Sequence, residues 1–398
     1  MSQLEFSGYR RGDGRIGVRN HVAVLPTSVT ASTIAEAIAT AVGEPARATP
    51  HQMGANQPRA ALEQTRRTLV GTGRNPNVGA ALVVELGTES IDAEDIADRI
   101  ARSGTPVETL SIRDAGGTKA SLEHGTGIVE DLADEITDVR REAADASELV
   151  FAVECGGSDA TSGIAANPAV GNACDRLIEA GGTACFSETP EFIGAEHILA
   201  ERCEDESVRA DLLNRVEKRE SQARMMGVDL RGAQPTPGNQ DGGLTTIEEK
   251  SLGAISKGGT TPVKDMVEYG ADLPVGEGLV LMDTPGYDVE SVVGMVAGGA
   301  QVVAFTTGRG STTGNPIAPV IKVTGNPQTW SHMRENMDVN ASTVIQGDSL
   351  ADVGERIFEE LLAVADGKPT EAERRRIEEF AINEIQPIEL DELGGEVA

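Results

Sequence analysis

The strongest constraint on this chain is a rhythm. From residue 20 onward, short apolar runs bounded by turn residues alternate with amphipathic stretches. Strands separated by helices cannot pair as tight hairpins, so they align side by side, and the rhythm implies α/β units built on largely parallel sheets. We expect strands at 21–26, 79–85 and 106–112, with helices at 33–42, 59–70, 93–102 and 118–143. An acidic stretch ending at Ser147 leads into a new apolar run at 148–153, which divides the chain into a first α/β domain over 1–147 and a C-terminal one over 148–398, both Rossmann-like. The second set has expected strands at 183–187, 278–283 and 301–306 and helices at 168–180, 206–225 and 349–365. Residues 231–243, rich in Gly, Pro, Asn and Gln, read as a loop. Loops of about a dozen residues in compact domains usually carry function.

Composition then narrows the function. No run of about 18 apolar residues occurs, and the first residues lack the order of a signal peptide, so a soluble cytoplasmic protein with no membrane partner is expected. The 64 acidic and 34 basic residues give a net charge of −30, and only seven of the basic residues are Lys. Molar salt shortens the Debye length to roughly 3 Å, which makes such self-repulsion tolerable. The charge therefore points to a salt-rich setting. It also excludes nucleic-acid binding, which needs a basic footprint. An anionic small molecule would have to be met by a locally basic pocket. The four cysteines, Cys155, Cys174, Cys185 and Cys203, contain no C-x-x-C pair, so neither a structural zinc site nor a disulfide framework is supported. Cys174, Cys185 and Cys203 are expected as small buried side chains.

Glycine gathers directly after expected strands, in Glu154-Cys-Gly-Gly-Ser-Asp159, Asp283-Thr-Pro-Gly286 and Thr306-Thr-Gly-Arg-Gly310. In open α/β sheets the carboxyl ends of strands face the ligand crevice, and glycine there lets backbone N–H groups approach an anion. No phosphate-binding G-x-x-x-x-G-K-[ST] occurs and no G-x-G-x-x-G follows the first strand, which counts against a nucleotide-dependent oxidoreductase. A further stretch, 242–257, holds Thr245 and Thr246 as helix caps with Glu248 or Glu249 completing a capping box. It also holds Lys250 and Lys257, seven apart and hence on one helical face, suited to bind a carboxylate or to act as a base.

At these residues the chain resembles the altronate and galactarate dehydratase family, which also contains sulfolactate sulfo-lyase. The likeness runs nearly end to end, through Gly8-Tyr-Arg-Arg-Gly-Asp-Gly-Arg-Ile-Gly-Val-Arg-Asn20, Asn75-Pro-Asn-Val-Gly79, residues 154–167, Ser187-Glu-Thr-Pro-Glu-Phe-Ile-Gly-Ala-Glu196, Pro237-Gly-Asn239, residues 242–257, Asp283-Thr-Pro-Gly-Tyr-Asp288 and Phe305-Thr-Thr-Gly-Arg-Gly-Ser311. The resemblance implies a hydro-lyase that converts an aldonate or aldarate to a 2-keto-3-deoxy acid. The alternatives are a sulfolactate sulfo-lyase large subunit and a non-catalytic sugar-acid-binding paralogue. Single-chain members carry an extra small N-terminal domain, so a separate small subunit and an oligomeric assembly are implied as partners.

The family's sugar-acid dehydratases use a divalent metal, and its motifs often carry cysteine where this chain has Ala31, Ala55, Thr88 and Ala341. With those thiolates absent, a metal (Fe²⁺, Mn²⁺ or Mg²⁺) would be held by oxygen and imidazole, with His51 and Glu89 as candidates beside Cys155. Dehydration needs a base beside the carboxylate, a cation or donors for that carboxylate, and an acid for the leaving oxygen. Arg309 and Lys257, helped by the backbone of Gly156 and Gly157, are assigned to the carboxylate, Lys250 to the base, and Asp159 or Glu248 to the acid. Arg19, Asn20, Ser158, Asn239, Thr245, Thr246, Thr306 and Thr307, from the same motifs, are expected at the substrate. The site is expected between the two domains.

The charge yields a first prediction. The melting temperature should rise steeply from dilute buffer to molar KCl, and identical melts in the two conditions would contradict the salt-rich reading.

Overall fold

The computed structural model describes residues 4–385. The extreme ends of both expected domains, 1–3 and 386–398, lie outside the described residues. The strands in chain order are β1 (Glu5–Arg10), β2 (Ile16–Gly17), β3 (His21–Pro26), β4 (Ala46–Ala48), β5 (Val78–Glu85), β6 (Val107–Ser111), β7 (Glu142–Asp145), β8 (Val150–Cys155), β9 (Thr183–Phe186), β10 (Val263–Val267), β11 (Gly278–Met282), β12 (Val302–Thr307), β13 (Val320–Thr324) and β14 (Val339–Asn340). They form two wholly parallel sheets, of order β4-β3-β5-β6 and β10-β11-β9-β8-β12-β13-β14. The α/β class with largely parallel sheets is thus the observed one. Every residue of β3, β8, β9, β11, β12 and β13 is buried. That is the pattern of parallel strands covered by helices on both faces.

Two local expectations are corrected. The helix expected over 118–143 stops at Thr137, and residues 142–145 instead form β7, antiparallel to β1 in a ribbon of order β2-β1-β7. Residues 138–142 offer only the exposed Val139 as an apolar side chain, whereas the Arg141 guanidinium donates to the carbonyls of Ser7 and Ala365 and pins this stretch beside β1. The segment expected as a loop over 231–243 is partly helical, with turns at Leu230–Ala233 and Pro237–Asp241. Thr236 caps the second turn, and Asn239 returns the bond in a capping box.

The large sheet places its crevice. From β8 the chain moves to one side through β9 and later returns to the other side as β12, so the loops after β8 and β12 flank a topological switch point. The smaller sheet docks at the opposite end. Asn77 donates to the carbonyls of Gln301 (2.9 Å) and Ile317 (3.1 Å), just ahead of β12 and β13, and accepts from the N–H groups of Val18 and Arg19. Asn75 donates to Val296 and Ala300. Nearby, the helices Arg59–Gly73 and Asp288–Ala297 cross so closely that a Cβ on Gly71 would lie 2.3 Å from the Ala297 oxygen. The stretch 75–79 is therefore a clamp between the two sheets, at the end of the large sheet away from the crevice.

Asn77→Ala should cost stability without touching the crevice. Each buried group left unsatisfied costs about 1–3 kcal/mol, and four groups lose their partner. Urea unfolding should show a loss of at least about 2 kcal/mol. A change within the error of the measurement would contradict the clamp.

Candidate active site

At the switch point lies a cavity of about 250 Å³ lined by Cys155, Gly156, Gly157, Ser158, Glu191, Thr236, Gly238, Asn239, Lys250, Gly286, Asp288 and Arg309. All of these residues lie in the C-terminal unit, beyond residue 148. This cavity is therefore lined by the C-terminal unit alone and does not lie between the two α/β units.

The wall is shaped by glycine where side chains cannot fit. A Cβ on Gly156 would fall 2.1 Å from the Asp288 carboxylate and 2.6 Å from the Phe305 ring. Gly157 turns with φ 60°, which aims the chain from β8 toward the loop after β12, where the Arg309 N–H donates to the Gly157 carbonyl at 2.9 Å. The Arg309 guanidinium, exposed to solvent, also donates to the Gly238 carbonyl. Asn239 donates to the Ser158 carbonyl at 2.9 Å, joining the 237–241 turn to the loop after β8.

Behind the wall is a buried charge cluster. The Lys257 ammonium, wholly buried, lies 2.5 Å from Glu188 Oε2, 3.1 Å from Cys155 Sγ and 3.8 Å from Glu191 Oε2. Lys250 donates to Glu191 Oε1 at 3.1 Å and to Gln234 at 3.2 Å. The two lysines meet the same carboxylate although the helix Ile247–Ile255 ends between them and Lys257 stands in a 3₁₀ turn. Glu188 itself adopts φ 72°, a left-handed conformation rare for a side chain other than glycine, and its N–H is held by Thr284 Oγ1 at 2.8 Å.

Protonation follows from these partners. Burial, then Glu188 and Glu191, push the Cys155 thiol well up, so it is a donor to Glu191 Oε2 at 3.1 Å and not a thiolate. Burial and the neighbouring Glu188 likewise raise Glu154, whose Oε2 accepts from Ser187 (3.0 Å) and Ser291 (2.7 Å). Burial and the Glu191 charge raise Glu188, with Lys257 opposing. Against the same burial, Lys250 and Lys257 hold Glu191 below its ordinary range. Burial would lower both lysines, but the surrounding acids keep them charged. Asp288 is pushed up to about 7 by burial and by Glu188 and Glu191.

The remaining sequence candidates have other partners. Asp159 caps the π-helical turn Ser162–Ala166, accepting from the N–H groups of Thr161 and Ser162 and from Asn326. Thr246 caps the helix that carries Lys250, and Thr245 binds Glu249 at 2.7 Å. Glu248 is exposed on that helix, outside the cavity. Thr306 bonds Asn167 (2.5 Å) and Thr307 accepts from the Gly310 N–H (2.9 Å), so both brace the wall from behind. Arg19 grips Glu373 and carbonyls at 364 and 368, while Asn20 joins Arg11 to the Ile136 carbonyl, in the N-terminal ribbon region.

The three expected metal ligands do not meet. His51 is buried, donates from Nε2 to the Pro26 carbonyl (2.8 Å) and accepts at Nδ1 from the Met53 N–H (3.1 Å), leaving no nitrogen for a metal. Burial lowers its pKa to about 4. Glu89 is bound by the N–H groups of Leu86, Gly87 and Thr88, each at 2.7 Å, and by Ser28 and Thr27; these bonds overcome partial burial and lower it to about 2. The sequence reading missed Glu154, Glu188, Glu191 and Asp288. The available signal is their position at the carboxyl ends of parallel strands or in the loops that follow, within the motifs quoted above, but among 64 acidic residues a carboxylate alone carries little information.

Residues 146–388 match the D-galactarate/altronate dehydratase C-terminal domain, and residues 8–137 match the D-galactarate dehydratase/altronate hydrolase second domain. The chain is 40% identical over 382 residues to the (2R)-sulfolactate sulfo-lyase subunit beta of Chromohalobacter salexigens, covering 96% of this chain and 97% of that protein. It is 32% identical over 390 residues to the altronate dehydratase of Bacillus subtilis, covering 95% of this chain and 77% of that protein. To the altronate dehydratase of Escherichia coli it is 33% identical over 383 residues, covering 94% and 76%.

Lys257→Met should strip Glu188 and Glu191 of their buried cation and destabilise the fold by about 3–5 kcal/mol at neutral pH. The deficit should shrink as pH falls, because protonating either carboxylate relieves the repulsion that the missing ammonium had balanced. Urea unfolding at pH 7.5 and pH 5 separates the cases: a deficit that is constant or grows in acid would exclude this role.

Proposed function

The chain belongs to the D-galactarate/altronate dehydratase family of lyases, and from that premise we propose that it eliminates a β-substituent from a small 2-hydroxy acid, water from a sugar acid such as altronate or galactarate. The observation that carries this reading is a cavity at the switch point whose wall presents two cations, Arg309 and Lys250, backed by an ordered carboxylate cluster. In a protein of net charge −30 such a wall is what an anionic substrate requires.

In this mechanism Arg309 grips the substrate carboxylate through its planar fork, and the glycines at 156 and 157 let the substrate approach the backbone. Lys250 is the one amine on the cavity wall. In the resting site Lys250 keeps its proton; the base is the minor form in which that proton has crossed the 3.1 Å contact to Glu191 Oε1, and the neutral amine of that form removes the proton beside the carboxylate. The departing hydroxyl takes a proton from the same couple, and the enol product relaxes to a 2-keto-3-deoxy acid. Lys257 keeps Glu188 and Glu191 in register behind the wall.

A divalent metal is implied by the family, and two groups of described residues offer ligand atoms within 4.8 Å of one another. The Cys155–Glu188–Glu191 group is already filled by the Lys257 ammonium. The Glu154–Glu188–Asp288 group fits better, because Oε1 of both glutamates is buried without a hydrogen-bond partner. Its all-oxygen donor set suits Mg²⁺, Mn²⁺ or Fe²⁺. Such an ion would stabilise negative charge developing on the substrate.

A second reading rests on the relative that matches at 40% identity along almost its full length and is named a sulfo-lyase subunit beta. The leaving group would then be sulfite, expelled by the same removal of a proton beside the carboxylate. Under either reading we propose that a partner subunit completes the enzyme, since the relative matched along 97% of its length is named a subunit beta. No described helix is long and apolar enough to cross a membrane.

Altronate, galactarate and (2R)-sulfolactate, tested with added Fe²⁺, Mn²⁺ or Mg²⁺ and with the partner subunit present, should distinguish the readings by 2-keto-3-deoxy product or by free sulfite. Arg309→Lys should leave the melting temperature unchanged yet lower kcat/KM about tenfold to a thousandfold, since a charged hydrogen bond worth about 1.5–3 kcal/mol or slightly more is lost. Unchanged kinetics would remove Arg309 from the site.

A further inference from the structure

A third buried cation stands behind the cavity wall and has no part in the elimination. Lys322 lies in the centre of β13 with 1% of its surface exposed. An ammonium in the middle of a sheet is costly unless its surroundings use it. Its Nζ donates to the Thr312 carbonyl at 3.0 Å and sits 5.8 Å from the centre of the Phe305 ring. Asp338 and Glu379 supply the compensating negative charge.

Both contacts lead to the wall. Thr312 belongs to the segment after β12 that carries Arg309, and the Phe305 ring abuts Gly156 so closely that a Cβ there would be 2.6 Å away. The same segment is fixed on either side of Thr312: Thr329 donates to the Gly308 carbonyl at 2.6 Å, the Arg309 N–H to the Gly157 carbonyl and the Gly310 N–H to Thr307, and Glu379 accepts from the Gly314 N–H at 2.8 Å. Between these points, Lys322 supplies the side-chain bond to Thr312, in the stretch that has just left Arg309.

We infer that Lys322 is a positioning residue for Arg309: its ammonium, bonded to the Thr312 carbonyl and seated against Phe305, holds residues 308–314 so that the guanidinium faces the cavity. The inference rests on the assignment of Arg309 to substrate binding. A purely structural lysine would contribute stability alone, whereas a tether makes its effect on kinetics depend on the arginine it aims.

The test is a double-mutant cycle, run with whichever of altronate, galactarate and (2R)-sulfolactate turns over fastest. Lys322→Met is expected to lower kcat/KM at least tenfold when Arg309 is present and less than twofold in an Arg309→Lys background. Equal losses in the two backgrounds, or no loss, would overturn the tether. Should Lys322→Met fail to fold because its acids are left unbalanced, Lys322→Met with Asp338→Asn removes one of them and carries the same comparison. Trp330, the only tryptophan, follows Thr329 and gives a readout independent of turnover. Acrylamide quenching of its emission should increase in the Lys322 variants as the segment loosens and stay unchanged in Arg309→Lys. If Arg309→Lys proves kinetically silent, the binding role of Arg309 has failed and quenching alone judges the tether; unaltered quenching then overturns it.

Discussion

The Lys257 ammonium is the constraint on which the rest of the site depends. It sits where the end of β8, the loop after β9 and the turn after the helix Ile247–Ile255 converge, and it touches the Cys155 sulfur from the first and the Glu188 and Glu191 carboxylates from the second. Two carboxylates and a thiol packed without water would repel or protonate one another. The ammonium keeps Glu191 ionised while burial and the Glu188 and Glu191 charges keep Cys155 a thiol, so the cavity wall has a fixed hydrogen-bond pattern before any substrate arrives. The αL conformation of Glu188 belongs to the same arrangement, since its side chain reaches the ammonium while its N–H is held by Thr284.

Around that cluster, the large sheet divides labour between its two ends. The carboxyl ends of the strands carry loops with glycine wherever a Cβ would collide, as at Gly156 against Asp288 and Phe305. The opposite ends receive the smaller sheet through the amide side chains of Asn75 and Asn77. The cavity after β8 and β12 is lined by the C-terminal unit alone, so the chemistry proposed there rests on that unit's own residues.

Several motifs that looked chemical are structural, and the reason differs in each case. Glu89 and His51 satisfy backbone groups at the ends of β3 and β5. Arg19 and Asn20 stitch the N-terminal ribbon to the C-terminal helix region and to the helix Thr118–Thr137. Asp159 and Thr246 accept from N–H groups at helix starts that would otherwise be unpaired, and Thr245 donates to Glu249 on the same helix. Polar side chains in loops are needed for such work as often as for catalysis, and one sequence does not distinguish the two.

The amino-acid sequence by itself determined the α/β class, the parallel sheets, seven of the fourteen described strands to within two residues, the glycine loops at strand ends, and Lys250 and Lys257 as lysines worth following. These are local properties: hydrophobic period, turn chemistry, and the scarcity of one residue type. Tertiary structure alone decided which acids those lysines meet, because Glu154, Glu188, Glu191 and Asp288 become neighbours only through the order in which β8, β9 and β11 lie in the sheet. It also decided that residues 142–145 pair as a strand, since their partner, β1, is more than 130 positions away in the chain. Periodicity fixes what a segment is, whereas the balance of buried charges depends on which segments the sheet brings side by side.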